Sequence, residues 1–152
     1  MDLPDLARRY YAYFNERRFD EAGQLVDPEA VFHYVATQQR LVGRAGYRAL
    51  VAAWVIAFDD AWVEIRSIRQ TDDHVVRVDF VGHGTHTGDL ELGEALVIPA
   101  TGISAELPFT DTLTFRGGLI TESRFEFDVV ELRRRLTTSV LSRLFSASAA
   151  AR

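Results

Sequence analysis

The sequence points to an α+β fold in which a curved antiparallel sheet buries one face against the first and third helices. Three observations carry that expectation. Apolar residues recur at helical spacing through the first sixty or so positions, and from Trp62 onward the pattern changes to alternation. The helices come first and the strands follow as a meander, which is an α+β order with no need for parallel crossovers. The chain has 152 residues, enough for one good core and too few for two. We expect a single domain over 1–145 and a frayed C-terminal tail over 146–152.

Each element has a local reason. Asp2 and Pro4 mark a helix start, since aspartate caps free amides and proline suits the first turn. Leu6, Tyr10, Tyr13 and Phe14 then form one apolar stripe. A short helix over Phe19–Val26 stops at Asp27-Pro28, and a strand runs from Ala30 to about Val35. Gly43 and Gly46 precede a strongly apolar helix, Tyr47–Phe58, that should lie inside the fold. Strands over Trp62–Gln70 and from His74 to about Thr87 flank the turn Thr71-Asp72-Asp73. The stretch from Gly88 to Gly102 is the least regular. Ile103–Phe115 and Leu119–Phe127 alternate around Gly117-Gly118, a dipeptide suited to the positive φ angles of a tight hairpin. A last helix is expected from about Val129 to Phe145.

Composition removes several function classes. A net charge of −5 argues against nucleic acid, whose binders need a basic stripe to displace counterions. The one basic cluster, Arg133-Arg134-Arg135, falls late in a helix, where it is better read as complementing the helix terminus or as solvated. There is no cysteine, hence no disulfide framework and no thiolate nucleophile or ligand. The first residues lack a basic n-region and an apolar h-region, and no apolar run approaches a membrane span, so a cytoplasmic protein without a membrane partner is expected. No H-x-H or H-E-x-x-H spacing occurs among the histidines, so a metal site is not expected. Two Trp, five Tyr and ten Phe are enough to line a cavity as well as fill a core.

Four pieces of sequence carry a resemblance: Gly43-Arg44-Ala45-Gly46-Tyr47, Gly84-Thr85-His86-Thr87-Gly88, Ile98-Pro99-Ala100-Thr101-Gly102, and Gly118-Leu119-Ile120-Thr121-Glu122 with Asp128 beyond it. In this order they resemble the SnoaL-like polyketide cyclases of the nuclear transport factor 2-like (cystatin-like) superfamily, over roughly residues 5–136, which implies a cone-shaped barrel, a curved antiparallel sheet wrapped around the N-terminal helices with an apolar pocket inside. The resemblance implies a cofactor-independent enzyme acting on a small hydrophobic, polyketide-like carbonyl compound by acid/base cyclisation of the aldol type, or by isomerisation. It also implies a homodimer. The chain departs from the pattern after Leu132, where Arg133-Arg134-Arg135 stands in place of Gln-Leu-Gly, and in the extra residues Leu90–Leu96.

Candidate chemistry centres on Asp128, which matches the family's catalytic aspartate and could equally cap the helix that follows. Counting back along the hairpin, the position of the relatives' partner histidine falls at Thr112 and Thr114. His86 sits in the G-T-H-x-G piece, as catalytic group or loop packing, and His33 lies on the first strand, facing either the cavity or the outside. Arg77 and Asp79 share a strand face; with Asp128 they are similar to the Asp-Arg-Asp set of limonene epoxide hydrolase, or they belong to a surface salt bridge. The expected pocket lining is Tyr10, Phe14, Trp54, Phe58, Trp62, Thr112 and Thr114, with Arg124 and Glu126 added if Asp128 faces inward. If the Phe125/Phe127 face lines the cavity instead, Asp128 is a cap at its rim. A binding domain without catalysis remains the third reading.

Overall fold

The computed structural model describes residues 2–137. Helix α1 (Leu3–Asn15) starts where Asp2 accepts a hydrogen bond from the Asp5 amide at 2.9 Å, the expected cap. Helix α2 (Phe19–Gln24) is shorter than its apolar pattern suggested, because Val26 is already in strand β1 (Val26–Tyr34). Strand β2 (Gln39–Val42) leads into helix α3 (Gly43–Ala57). The meander follows: β3 (Trp62–Gln70), β4 (Val75–Thr85), β5 (Leu90–Leu92), β6 (Leu96–Ile98), β7 (Ser104–Arg116) and β8 (Leu119–Glu126). A final helix, α4, occupies 129–137 of the described residues. The rest of its expected length and the tail over 146–152 lie outside them.

Six strands form one sheet in the order β2-β1-β8-β7-β4-β3. The hairpin between β7 and β8 turns on Gly117 and Gly118 with φ of 57° and 76°, the left-handed pair such a tight turn requires. One pairing departs from the antiparallel expectation: β1 runs parallel to β8. No hairpin links these two strands, so their relative direction is set by packing and not by a turn. Their register slips between Val26 and Val31, where Pro28, which has no amide to give a ladder, is accommodated.

Parity then decides what faces what. On β7, Leu107, Phe109, Asp111, Leu113 and Phe115 are all buried, and the residues between them are not. Val76, Val78 and Phe80 of β4 face the same way. Helix α1 packs on β3 and β4, and α3 on β1, so the concave face of the sheet closes over two helices. Side-chain clamps fix the helices. Asn15 bonds both the amide (2.7 Å) and the carbonyl (2.9 Å) of Val63, and Arg44 Nε donates to the carbonyls of Gly23 and Val26, both at 3.0 Å.

The irregular stretch after Gly88 contains the small hairpin β5–β6, whose Leu90, Leu92, Leu96 and Ile98 are buried and which docks on α3. A Cβ on Gly88 would lie 2.0 Å from the Ile56 carbonyl oxygen, so only glycine permits this loop to meet the end of α3.

Candidate active site

The concave face holds a half-open cavity of about 120 Å³ lined by Tyr10, Tyr11, Phe14, Tyr34, Trp54, Phe58 and other largely apolar side chains. Two glycines make room for part of its wall: a Cβ on Gly82 would lie 2.9 Å from Phe109 Cε2, and one on Gly84 would lie 2.9 Å from Phe58 Cβ. An apolar cavity of about 150 Å³ accepts benzene, so the space suits about one ring.

A single carboxyl group is buried in this lining. Asp111 is 2% exposed, and it stands on β7 where the alternation calls for an apolar residue. Tyr11 Oη donates to its Oδ2, and Ser123 Oγ donates to its Oδ1 at 2.7 Å. The three come from α1, β7 and β8, with Tyr11 ring-packed on Phe80. Burial pushes Asp111 from 3.8 up to about 6, against the lowering effect of the Tyr11 and Ser123 hydrogen bonds. The result is a carboxyl that exchanges a proton near neutral pH. Burial, and secondarily the Asp111 charge, holds the Tyr11 phenol well above its usual range, so Tyr11 remains a donor. The second carboxyl of the lining, Glu106, is an exposed rim group paired with His83 at 3.4 Å.

Tyr34 is the other polar feature of the wall. Its ring stacks on Phe125 (centroids 4.6 Å apart, 14° between planes), and Trp54 Nε1 donates to its oxygen at 2.8 Å.

The aromatic residues singled out from the sequence, Tyr10, Phe14, Trp54, Phe58 and Trp62, all border the cavity. The polar ones lie elsewhere. On β8, Ser123 is buried and Phe125 lines the cavity, so Arg124 and Glu126 project from the outer face. Opposite them on β7, Thr112 and Thr114 point outward for the same reason of parity. Asp128 is exposed, and its Oδ1 accepts from the Glu131 amide at 3.0 Å as the cap of α4. Arg134 and Arg135 of that helix pair with Glu131 at 2.9 and 2.7 Å, so two of the three arginines of the run are held locally.

His33 is also outside, within 3.4 Å of Glu122. Arg77 and Asp79 do share a face, but it is the outer one. Arg77 Nε donates to Asp79 Oδ2 at 3.1 Å, and Thr110 donates to Oδ1 at 2.7 Å. Asp79 and Asp128 border a separate hollow on the outer side together with Arg66 and Glu126, so Arg77, Asp79 and Asp128 do not converge on the cavity. His86 is fully buried and stacked on Phe58 at 5.1 Å. Its backbone ties β4 to the loop before β7 through bonds to Ile103 (2.8 Å) and Gly102 (2.7 Å), with Nδ1 paired to Thr101 Oγ1 at 3.0 Å. Burial lowers its pKa, as befits a neutral ring holding loops together. Among the described residues no three His, Asp or Glu side chains gather so as to hold a metal ion, and no helix is long and apolar enough to cross a membrane.

Residues 4–136 match the family model described as SnoaL-like polyketide cyclase. Solved structures agree on the fold. A protein from Jannaschia sp. CCS1 designated a SnoaL-like polyketide cyclase superposes with a TM-score of 0.75 at 16% identity, covering 88% of this chain and 90% of that one. IdmH from Streptomyces antibioticus, designated a polyketide cyclase, gives 0.72 at 25% identity over 89% and 99%. A protein from Catenulispora acidiphila with a ketosteroid isomerase-like fold, solved with trimethylamine, gives 0.71 at 15% over 88% and 93%. No curated protein matches the sequence.

Proposed function

The chain belongs to the SnoaL-like polyketide cyclase family, and from that premise we propose that it catalyses acid/base rearrangement of a small apolar carbonyl compound, with Asp111 as the proton carrier. The observation that carries this reading is one hydrogen-bonded carboxyl, raised to about 6, in an otherwise apolar cavity. Ionised Asp111 removes a proton from the carbon beside a carbonyl. The C–H electron pair moves to the carbonyl oxygen and leaves an enolate. In a cyclisation the enolate carbon attacks a second carbonyl of the same molecule, and Asp111 returns its proton to the new alkoxide. In an isomerisation the proton returns to a different carbon. Tyr11 and Ser123 hold the carboxylate and fix the direction of its free lone pairs, and the apolar wall excludes water that would compete for the proton.

The size of the cavity suits one ring, or an equivalent length of chain, with any remainder at the rim near Trp62 and His83. The family's homodimer belongs to the same proposal, through the outer sheet face that carries His33, Arg77 and Arg124.

The test is enolisation of an aryl 1,3-diketone, 1-phenylbutane-1,3-dione, followed by enol absorbance. The wild-type protein should accelerate it, and Asp111→Asn should lower the rate by about 10²-fold or more. Equal rates for the two proteins would reject Asp111 as the base and favour a binding domain without catalysis.

A further inference from the structure

Tyr34 is 4% exposed and lines the cavity. An indole N–H can only donate, so the bond from Trp54 occupies the Tyr34 oxygen as an acceptor and leaves its own hydrogen to be placed. Among the described residues the Tyr34 hydroxyl makes no hydrogen bond besides this one. A buried hydroxyl hydrogen without an acceptor costs free energy, and a wall group in that condition selects for a ligand that supplies one. The indole bond also polarises the hydroxyl, making it a better donor to a developing negative charge. Burial holds Tyr34 well above the usual phenol range, with the Asp111 charge adding to the effect, so the group keeps its proton.

We infer that the Trp54–Tyr34 pair forms a second polar subsite that donates one hydrogen bond to a carbonyl or enolate oxygen of the ligand, with Trp54 positioning Tyr34. This rests on the proposed carbonyl chemistry and deepens it, naming the ligand as a compound with an acceptor oxygen on an apolar, ring-sized body. Asp111 handles the carbon-bound proton, and Tyr34 receives the oxygen.

The experiment compares acetophenone with ethylbenzene, a ketone and a hydrocarbon of nearly equal shape, by calorimetric or NMR titration. Wild-type protein should prefer the ketone. Tyr34→Phe keeps the ring that stacks on Phe125, and it should weaken acetophenone binding roughly tenfold while leaving ethylbenzene unchanged. Trp54→Phe keeps Tyr34 and should lower the ketone preference, whereas lost packing alone would weaken both ligands alike and leave the preference unchanged. No ketone preference in the wild type, or the same preference in Tyr34→Phe, overturns the inference. Failure of the proton-carrier reading looks different: Asp111→Asn then enolises the diketone as fast as wild type while the Tyr34 effect on ketone binding persists.

Discussion

Replacing Asp111 by Asn should stabilise the protein at neutral pH. The Asp111 carboxyl has its pKa raised from 3.8 in the unfolded chain to about 6 in the fold, chiefly by burial. Between those values the folded state binds more protons than the unfolded one, so stability falls as pH rises through that window. Above about 6 the full penalty is present, and below 3.8 it is gone. The interval corresponds to about 3 kcal/mol. An amide loses one good acceptor for Tyr11 or Ser123, at about 1 kcal/mol, which leaves a net gain of about 2 kcal/mol for Asp111→Asn at pH 7.5. In a chain of this size that is a rise of roughly 6 °C in Tm. The assay is urea unfolding of both proteins from pH 4 to pH 8. The difference should be largest at pH 7–8 and should shrink toward pH 4. A variant that is less stable than wild type, by an amount independent of pH, would refute the reasoning.

The other expectations concern residues around the cavity. Asp128→Ala removes the bond to the Glu131 amide and should cost about 1 kcal/mol in chemical unfolding with the enolisation rate unchanged; a collapse of that rate in a folded variant would return Asp128 to the chemistry. Gly88→Ala places a methyl against the Ile56 carbonyl and should cost more than about 3 kcal/mol, read as loss of folded protein at 37 °C. A variant as stable as wild type would show that the loop can move away from α3. The enolisation rate of the wild type should rise with pH through about 6 as Asp111 ionises; a rate flat from pH 5 to 8 would separate catalysis from this carboxyl.

Much of the architecture was readable in the sequence. The change from helical to alternating periodicity located β3 to the residue, and Gly117-Gly118 located the last hairpin. The parallel β1–β8 pair was not readable, because no local turn encodes a contact between strands so far apart in the chain. The β5–β6 hairpin was hidden because its two strands are three residues each, too short to show a period. At the site, the aromatic wall was legible from composition and spacing. The end of the last strand points to Asp128, where a helix cap and an acid/base residue look alike in sequence, and the fold makes it the cap of α4, away from the cavity. The signal for Asp111 was nevertheless present: Leu107, Phe109, Leu113 and Phe115 set the buried parity of β7, and Asp111 breaks it with a charge. Tyr11 could not be assigned as its partner, since the two residues meet only in the folded chain. Similarly, Arg77 and Asp79 share a face, but which face depends on the sheet's curvature around α1 and α3.

The most direct test of the account is the titration of Asp111 itself. In ¹³C-labelled protein, the Asp111 carboxyl resonance, identified by its loss in Asp111→Asn, should shift with an apparent pKa of about 6. A titration at or below 4, the range of a solvated aspartate, would contradict the claim that this carboxyl is a desolvated proton carrier in an apolar cavity.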